Sequence, residues 1–126
     1  MHYFIYANKS TWISSGSNDI TGITEIDQNF GKDEILELKK VFEDDTFKYQ
    51  TRLLVQFPLS NLSESVDRGD IKGPKYYLRL YEAQGNSSLS SDYKISAYAL
   101  SQSWDEGTGK LGDNPKVTDG ASWENR

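Results

Sequence analysis

The chain has 126 residues, enough for one domain with an ordinary core and no need of a metal or disulfide staple. It contains no cysteine, which excludes disulfides, thiol nucleophiles and thiolate metal sites. Its formal net charge of −5 gives an acidic surface that repels phosphate backbones, so nucleic acid is not an expected partner.

Only 36% of the residues are hydrophobic, yet aromatics make up 13%, with eight Tyr and three Trp. A thin core filled by large rings accounts for both values. No apolar stretch approaches the roughly 20 residues of a membrane helix, so no membrane partner is expected. The start at Met1-His2-Tyr3 carries no basic region and reads as leaderless.

In chain order, His2 to Ala7 is aromatic and β-branched and reads as a strand. Thr11-Trp12-Ile13 reads as a second, short strand, and Ser14 to Thr21 as a polar loop. Asp33 to Phe42 fits two periods. Ile35, Leu38, Val41 and Phe42 share a helical face that Asp33 could cap, whereas Leu36, Leu38 and Phe42 share a strand face.

Gln50 to Phe57 alternates clearly, with Leu53, Val55 and Phe57 opposite Arg52, Leu54 and Gln56, and Pro58 ends the run. Ser60 to Gly73 reads as a long polar connection. Tyr76 to Ala83 sets Leu78 and Leu80 against Tyr77, Arg79 and Tyr81, and a turn region follows from Gln84 to Asp92. Tyr93 to Leu100 sets Ile95, Ala97 and Ala99 against Lys94, Ser96 and Tyr98. Asp105 to Gly120 is a Gly/Asp-rich loop with one short strand around Lys116-Val117-Thr118. No internal repeat or linker interrupts the chain, so residues 1–126 read as a single domain.

Several short motifs occur in an order that resembles the DNRLRE-type, disaggregatase-related β-sandwich domains. They are Ser10-Thr11-Trp12-Ile13-Ser14-Ser15-Gly16, Asn29-Phe30-Gly31, the run from Thr51-Arg52-Leu53-Leu54 through Phe57-Pro58-Leu59-Ser60-Asn61-Leu62, Tyr77-Leu78-Arg79-Leu80-Tyr81, Ser103-Trp104-Asp105-Glu106-Gly107 and Ser122-Trp123. The family's eponymous acidic-basic motif is absent. The resemblance implies that Leu36-Glu37-Leu38 is a strand. It implies an all-β fold: a jelly-roll β-sandwich of two antiparallel sheets with roughly eight strands.

The style of the chain is also similar to virion structural proteins of tailed, especially marine, bacteriophages. The points of likeness are the Met1 start, the stretch Asn29 to Leu38 and the closing Asp119-Gly120-Ala121-Ser122-Trp123. In the family such domains are implied to act as carbohydrate-binding or assembly modules.

Chemistry-bearing residues are sparse. His2 is the sole histidine, and its place at the extreme terminus leaves a Ser-His-Asp triad without a base. The acid pairs Asp44-Asp45, Asp105-Glu106 and Glu25-Asp27 would suit a glycosidase only across a sugar cleft. Asp105, Asp113, Asn114 and Asp119 offer calcium-type oxygens without a calcium-loop spacing; a structural calcium ion is the one cofactor weighed, and otherwise none is expected.

Asn8-Lys9-Ser10, Asn61-Leu62-Ser63 and Asn86-Ser87-Ser88 are formal glycosylation sequons, read as coincidental in a leaderless chain. Trp104 and Trp12 are read as core, while Trp123 could pack down or reach a partner. If Leu78 and Leu80 face inward, Tyr77, Arg79 and Tyr81 face outward, and Tyr98 and Arg52 take like positions in neighbouring segments. A Tyr/Arg surface suits a sugar platform or a protein interface; the alternative is cross-strand pairing on a solvated face.

The resemblance to phage virion proteins implies the expected function, a non-enzymatic structural component of a tailed-phage virion, assembled in the host cytoplasm. It would bind other virion proteins or copies of itself through Arg52, Tyr77, Arg79, Tyr81, Tyr98 and Trp123. The alternative is a carbohydrate-binding module that uses the same rings to bind a glycan, with a polysaccharide-cleaving enzyme third.

Overall fold

In the computed structural model, residues 2–85 and 93–125 are described. The chain divides into two compact units, Met1–Leu59 with Ser103–Arg126, and Ser60–Gln102. Among the described residues the regular elements are three strands and one short helix: β1 (Lys9–Ser14), β2 (Lys40–Glu43), β3 (Thr46–Gln56) and α1 (Ser60–Asp67). The strands form one antiparallel sheet of order β1-β3-β2, in keeping with an all-β class.

The first unit is organised by β3. Its C-terminal half pairs with β1, so that Trp12 faces Leu53 and Ile13 faces Arg52 across the ladder. Period-two alternation then places Trp12, Leu53 and Val55 on one face and Ile13, Arg52 and Leu54 on the other. Its N-terminal half pairs with β2 through a two-residue turn, Asp44-Asp45, between Glu43 and Thr46. Both turn residues are left-handed (φ 49° and 57°), the conformation of a type I′ hairpin, whose twist matches that of the strands it joins.

The core is a ring stack. Trp12 and Phe30 are fully buried, with ring centroids 3.8 Å apart and planes 12° from parallel. The Trp12 indole N–H is satisfied by Asp33 Oδ2 at 2.9 Å. Beside the stack, the Asn29 side chain ties three segments together. Its Nδ2 donates to the carbonyls of Glu106 (2.8 Å) and Ala121 (2.9 Å), and its Oδ1 accepts from the N–H groups of Gly31 (3.0 Å) and Gly109 (2.9 Å).

All of that amide's hydrogen-bonding capacity is used, in a place with no access to water. Gly107 (φ 77°) passes so close to this amide that a Cβ there would collide with it. Glu106 Oε1 accepts the exposed-edge N–H of Ser10 at 2.8 Å, which fastens the C-terminal segment to β1.

In the second unit, α1 departs from the expected loop. Leu62 and Val66, four residues apart, make a half-buried stripe, and Gly69 (φ 80°) ends the helix. The Asp70 N–H reaches the Ser65 carbonyl (2.9 Å) and the Gly69 N–H reaches that of Val66 (3.0 Å), the two bonds of a Schellman motif.

Other expectations shift as well. His2–Ala7 forms no strand and Tyr3, Phe4 and Tyr6 are exposed; the ladder opens only where the Asn8 N–H meets Gln56 O. Leu36-Glu37-Leu38 precedes the strand, which begins at Lys40. Lys116–Thr118 is no strand, although the Val117 carbonyl accepts the Asn29 N–H. Tyr76–Ala83 and Tyr93–Leu100 carry strand alternation but no ladder, and Leu78, Leu80 and Ile95 are exposed along with their polar neighbours. Alternation selects a face only once a partner strand exists. Residues 86–92 of the expected Gln84–Asp92 turn, with the Asn86-Ser87-Ser88 sequon, lie outside the described residues.

Candidate functional site

The structure pairs two of the six sequence-derived residues. The Arg52 guanidinium lies over the ring of half-buried Trp123, 4.7 Å from its centroid. Lys9, on the same face of the β1–β3 pair, sits 4.7 Å over the ring of Trp104 and donates to that residue's carbonyl. Arg52 is thus partnered within its own unit, and Trp123 packs down in the way the sequence left open. Tyr77, Tyr81 and Tyr98 are the most open of the rings expected to face outward, at 86%, 84% and 85% exposure, and Arg79 is exposed beside them in sequence.

Several of the acids weighed for catalysis or calcium have structural roles. Asp44 and Asp45 make the hairpin turn. Asp27 holds Lys116 at 2.5 Å, and this hydrogen bond, against the opposing effect of burial, keeps its carboxyl below its ordinary value. Glu106 is likewise held low, first by the Ser10 N–H and then by Lys32 at 3.3 Å. Asp119 accepts both the N–H (2.9 Å) and the hydroxyl (2.8 Å) of Thr108, and Asp113 accepts the Lys110 N–H (2.7 Å). Glu25 is buried with one carboxylate oxygen unpartnered. No cluster of three or more His, Cys, Asp or Glu side chains converges as a metal site among the described residues.

Sequence reasoning did not anticipate a groove of about 660 Å³ between the β2–β3 hairpin and the loop that follows β1. One wall is Val41, Phe42, Glu43, Lys48 and Tyr49. Consecutive strand residues share this wall because a bulge between Val41 and Phe42 leaves Lys48 as an extra residue and breaks the strict alternation.

The opposite wall is the loop Ser15 to Thr24, which is tied by hydrogen bonds at several points. Ser15 exchanges hydrogen bonds with the Gln50 backbone, and a bridge joins Ser17 to Thr24. Asn18 Oδ1 accepts the N–H groups of Ile20 (3.0 Å) and Thr21 (2.9 Å), which fixes the turn that presents Asp19.

At the floor, the Tyr49 hydroxyl lies 3.1 Å from both oxygens of Asp19. Its ring packs on Gly16, where any Cβ would strike the ring, and Lys39 approaches the same ring at 5.4 Å. Burial pushes the Tyr49 phenol up and the Asp19 bond adds to it, outweighing the Lys39 charge. The phenol is therefore a donor at neutral pH, and Asp19 the acceptor. At the rim, Glu43 pairs with Lys48 at 3.0 Å, and Phe42, 55% exposed, meets Phe47 edge-to-face at 5.9 Å with the Lys40 ammonium over both rings.

Such a groove joins an accessible ring face to fixed acceptors and donors. The model of carbohydrate-binding module family 96 matches residues 3–123. The chain belongs to this family. No curated protein and no solved structure matches the chain. The family 96 span takes in the groove, the Arg52–Trp123 pair and the exposed tyrosines, and it ends on Trp123 itself. As a family 96 member the chain is assigned to a class of binding modules rather than one of hydrolases, which favours the glycan alternative over the phage-assembly expectation.

Proposed function

We propose that this chain is a non-enzymatic carbohydrate-binding module that recognises a polysaccharide, with the hairpin groove as its contact surface. The observation that carries the reading is the family match over residues 3–123. The groove supports it chemically. Polysaccharides bind through ring faces that cover their C–H surfaces and through polar groups that meet their hydroxyls, and Phe42 and the Asp19–Tyr49 pair offer one of each. The fold proposed with it is the jelly-roll β-sandwich of two antiparallel sheets, of which β1-β3-β2 would be a part.

The test is affinity electrophoresis in gels containing laminarin, xylan, mannan, dextran or pectin. Retarded migration in at least one is expected, and unretarded migration throughout such a panel, extended by a glycan array, overturns the reading.

A second reading, assembly into a virion with neighbouring subunits as partners, rests on the disaggregatase-related and phage resemblance. It is favoured by the exposure of Leu78, Leu80, Ile95 and Leu100, apolar side chains that a partner surface would cover. Light scattering on the purified chain tests it for self-association: a defined oligomer supports assembly from copies of itself, and a monomer at high concentration removes that form of it.

A further inference from the structure

We infer that Asp19 is the ligand-anchoring acceptor of the groove, that an outward site of its carboxylate takes a hydroxyl of a pyranose, and that Tyr49 positions it. The inference rests on the carbohydrate reading and adds to it a sugar feature and a residue. A carboxylate has about four acceptor sites. The Tyr49 hydroxyl oxygen, 3.1 Å from each carboxylate oxygen, sits between the two on one side of Asp19 and leaves an outward site on each oxygen of this exposed, groove-lining residue.

A sugar hydroxyl that donates to one of these outward sites makes a charge-assisted bond, which is the stronger kind. The orientation of Asp19 is set from both ends. Asn18 holds the backbone turn, and Tyr49 is held by Gly16 beneath its ring and Lys39 beside it. A preorganised acceptor avoids much of the ordering cost of binding. Phe42 is more open than Tyr49, and the face of its ring that Lys40 does not cover is where the same sugar would stack.

The probe is a hexaose of the polysaccharide that retards the chain in the gels, titrated by calorimetry and compared with its fully O-methylated form. The parent chain is expected to bind the hexaose and not the methylated form. Asp19→Ala is expected to raise Kd about 10- to 100-fold, the loss of hydrogen bonds to a charged group. Tyr49→Phe keeps the ring on Gly16 and is expected to raise Kd about 5-fold, less than the Asp19 change because the acceptor remains and only its positioning is lost.

In the double variant the Tyr49 change is expected to add nothing, because Tyr49 acts through Asp19; a purely structural role would add in full. Thermal unfolding of each variant reports whether it is folded, and Asp19→Asn, which keeps the shape, serves where Asp19→Ala does not fold. Binding by the parent chain with unchanged Kd in the folded Asp19 variants, or equal binding of the methylated hexaose, overturns this inference and leaves the carbohydrate reading standing. Absence of any polysaccharide binding by the parent chain overturns both.

Discussion

Asn29 shows how much one residue can hold. Its amide fills the space between three segments and satisfies two carbonyls and two N–H groups, three of them on the buried residues Gly31, Gly109 and Ala121. Removing it strands all four. Each buried unpaired polar group costs about 1–3 kcal/mol, so Asn29→Ala is expected to destabilise the first unit by at least 3 kcal/mol. A fall of roughly 10 °C or more in the thermal midpoint measures this. A fall of only a degree or two would mean that the four groups find other partners. The sequence signalled Asn29-Phe30-Gly31 as a turn but not as a junction, because the partners at Glu106, Gly109 and Ala121 lie far along the chain. Trp12 and Trp104, by contrast, were legible as core rings from their type and their motif positions. Asp19 was not legible as a site residue, since an acid in a Ser/Asn/Gly loop gives no sign of the tyrosine it will meet.

Among the elements, β3 was the most legible, because its alternation from Thr51 to Gln56 is uninterrupted and its partner β1 is rich in β-branched and aromatic residues. The span before β2 fits both a helix and a strand, and the structure resolves it only at its end, from Lys40. The helix α1 left signals of its own in Leu62, Val66 and Gly69, but the polar composition around them hid the stripe. The groove could not be foreseen by counting faces, for the bulge at Lys48 puts adjacent residues on one wall.

The hairpin that carries this wall turns on two aspartates in left-handed backbone, where glycine is favoured at the second position. Asp45→Gly relieves that conformation, and it also lessens the repulsion among Glu43, Asp44 and Asp45. It is expected to stabilise the first unit by about 0.5–1 kcal/mol, raising the urea midpoint with no change in slope. A lower midpoint would mean that the Asp45 side chain itself supports the turn.

At the scale of the whole molecule, the acidic balance hides an internal dependence on ionised carboxylates. Asp27 and Glu106 each fasten a distant segment, Asp27 through Lys116 and Glu106 through the Ser10 N–H and Lys32, and both titrate below their ordinary values of 3.8 and 4.5. A carboxylate whose folded-state pKa is depressed adds stability fully above its unfolded value and loses it as pH falls through the folded one. The chain is therefore expected to hold a constant thermal midpoint from pH 7 to about 5 and to lose stability below about 4.5.

Glu106→Gln separates this cause from general charge repulsion. The variant lacks the charge-assisted bond at every pH, so it is expected to be less stable than the parent chain at pH 7 and to lose less on acidification. Midpoints from circular dichroism between pH 7 and pH 3 would then converge at the acid end. Two parallel profiles would place the acid sensitivity elsewhere, because a residue whose ionisation matters cannot leave the slope unchanged when its charge is removed.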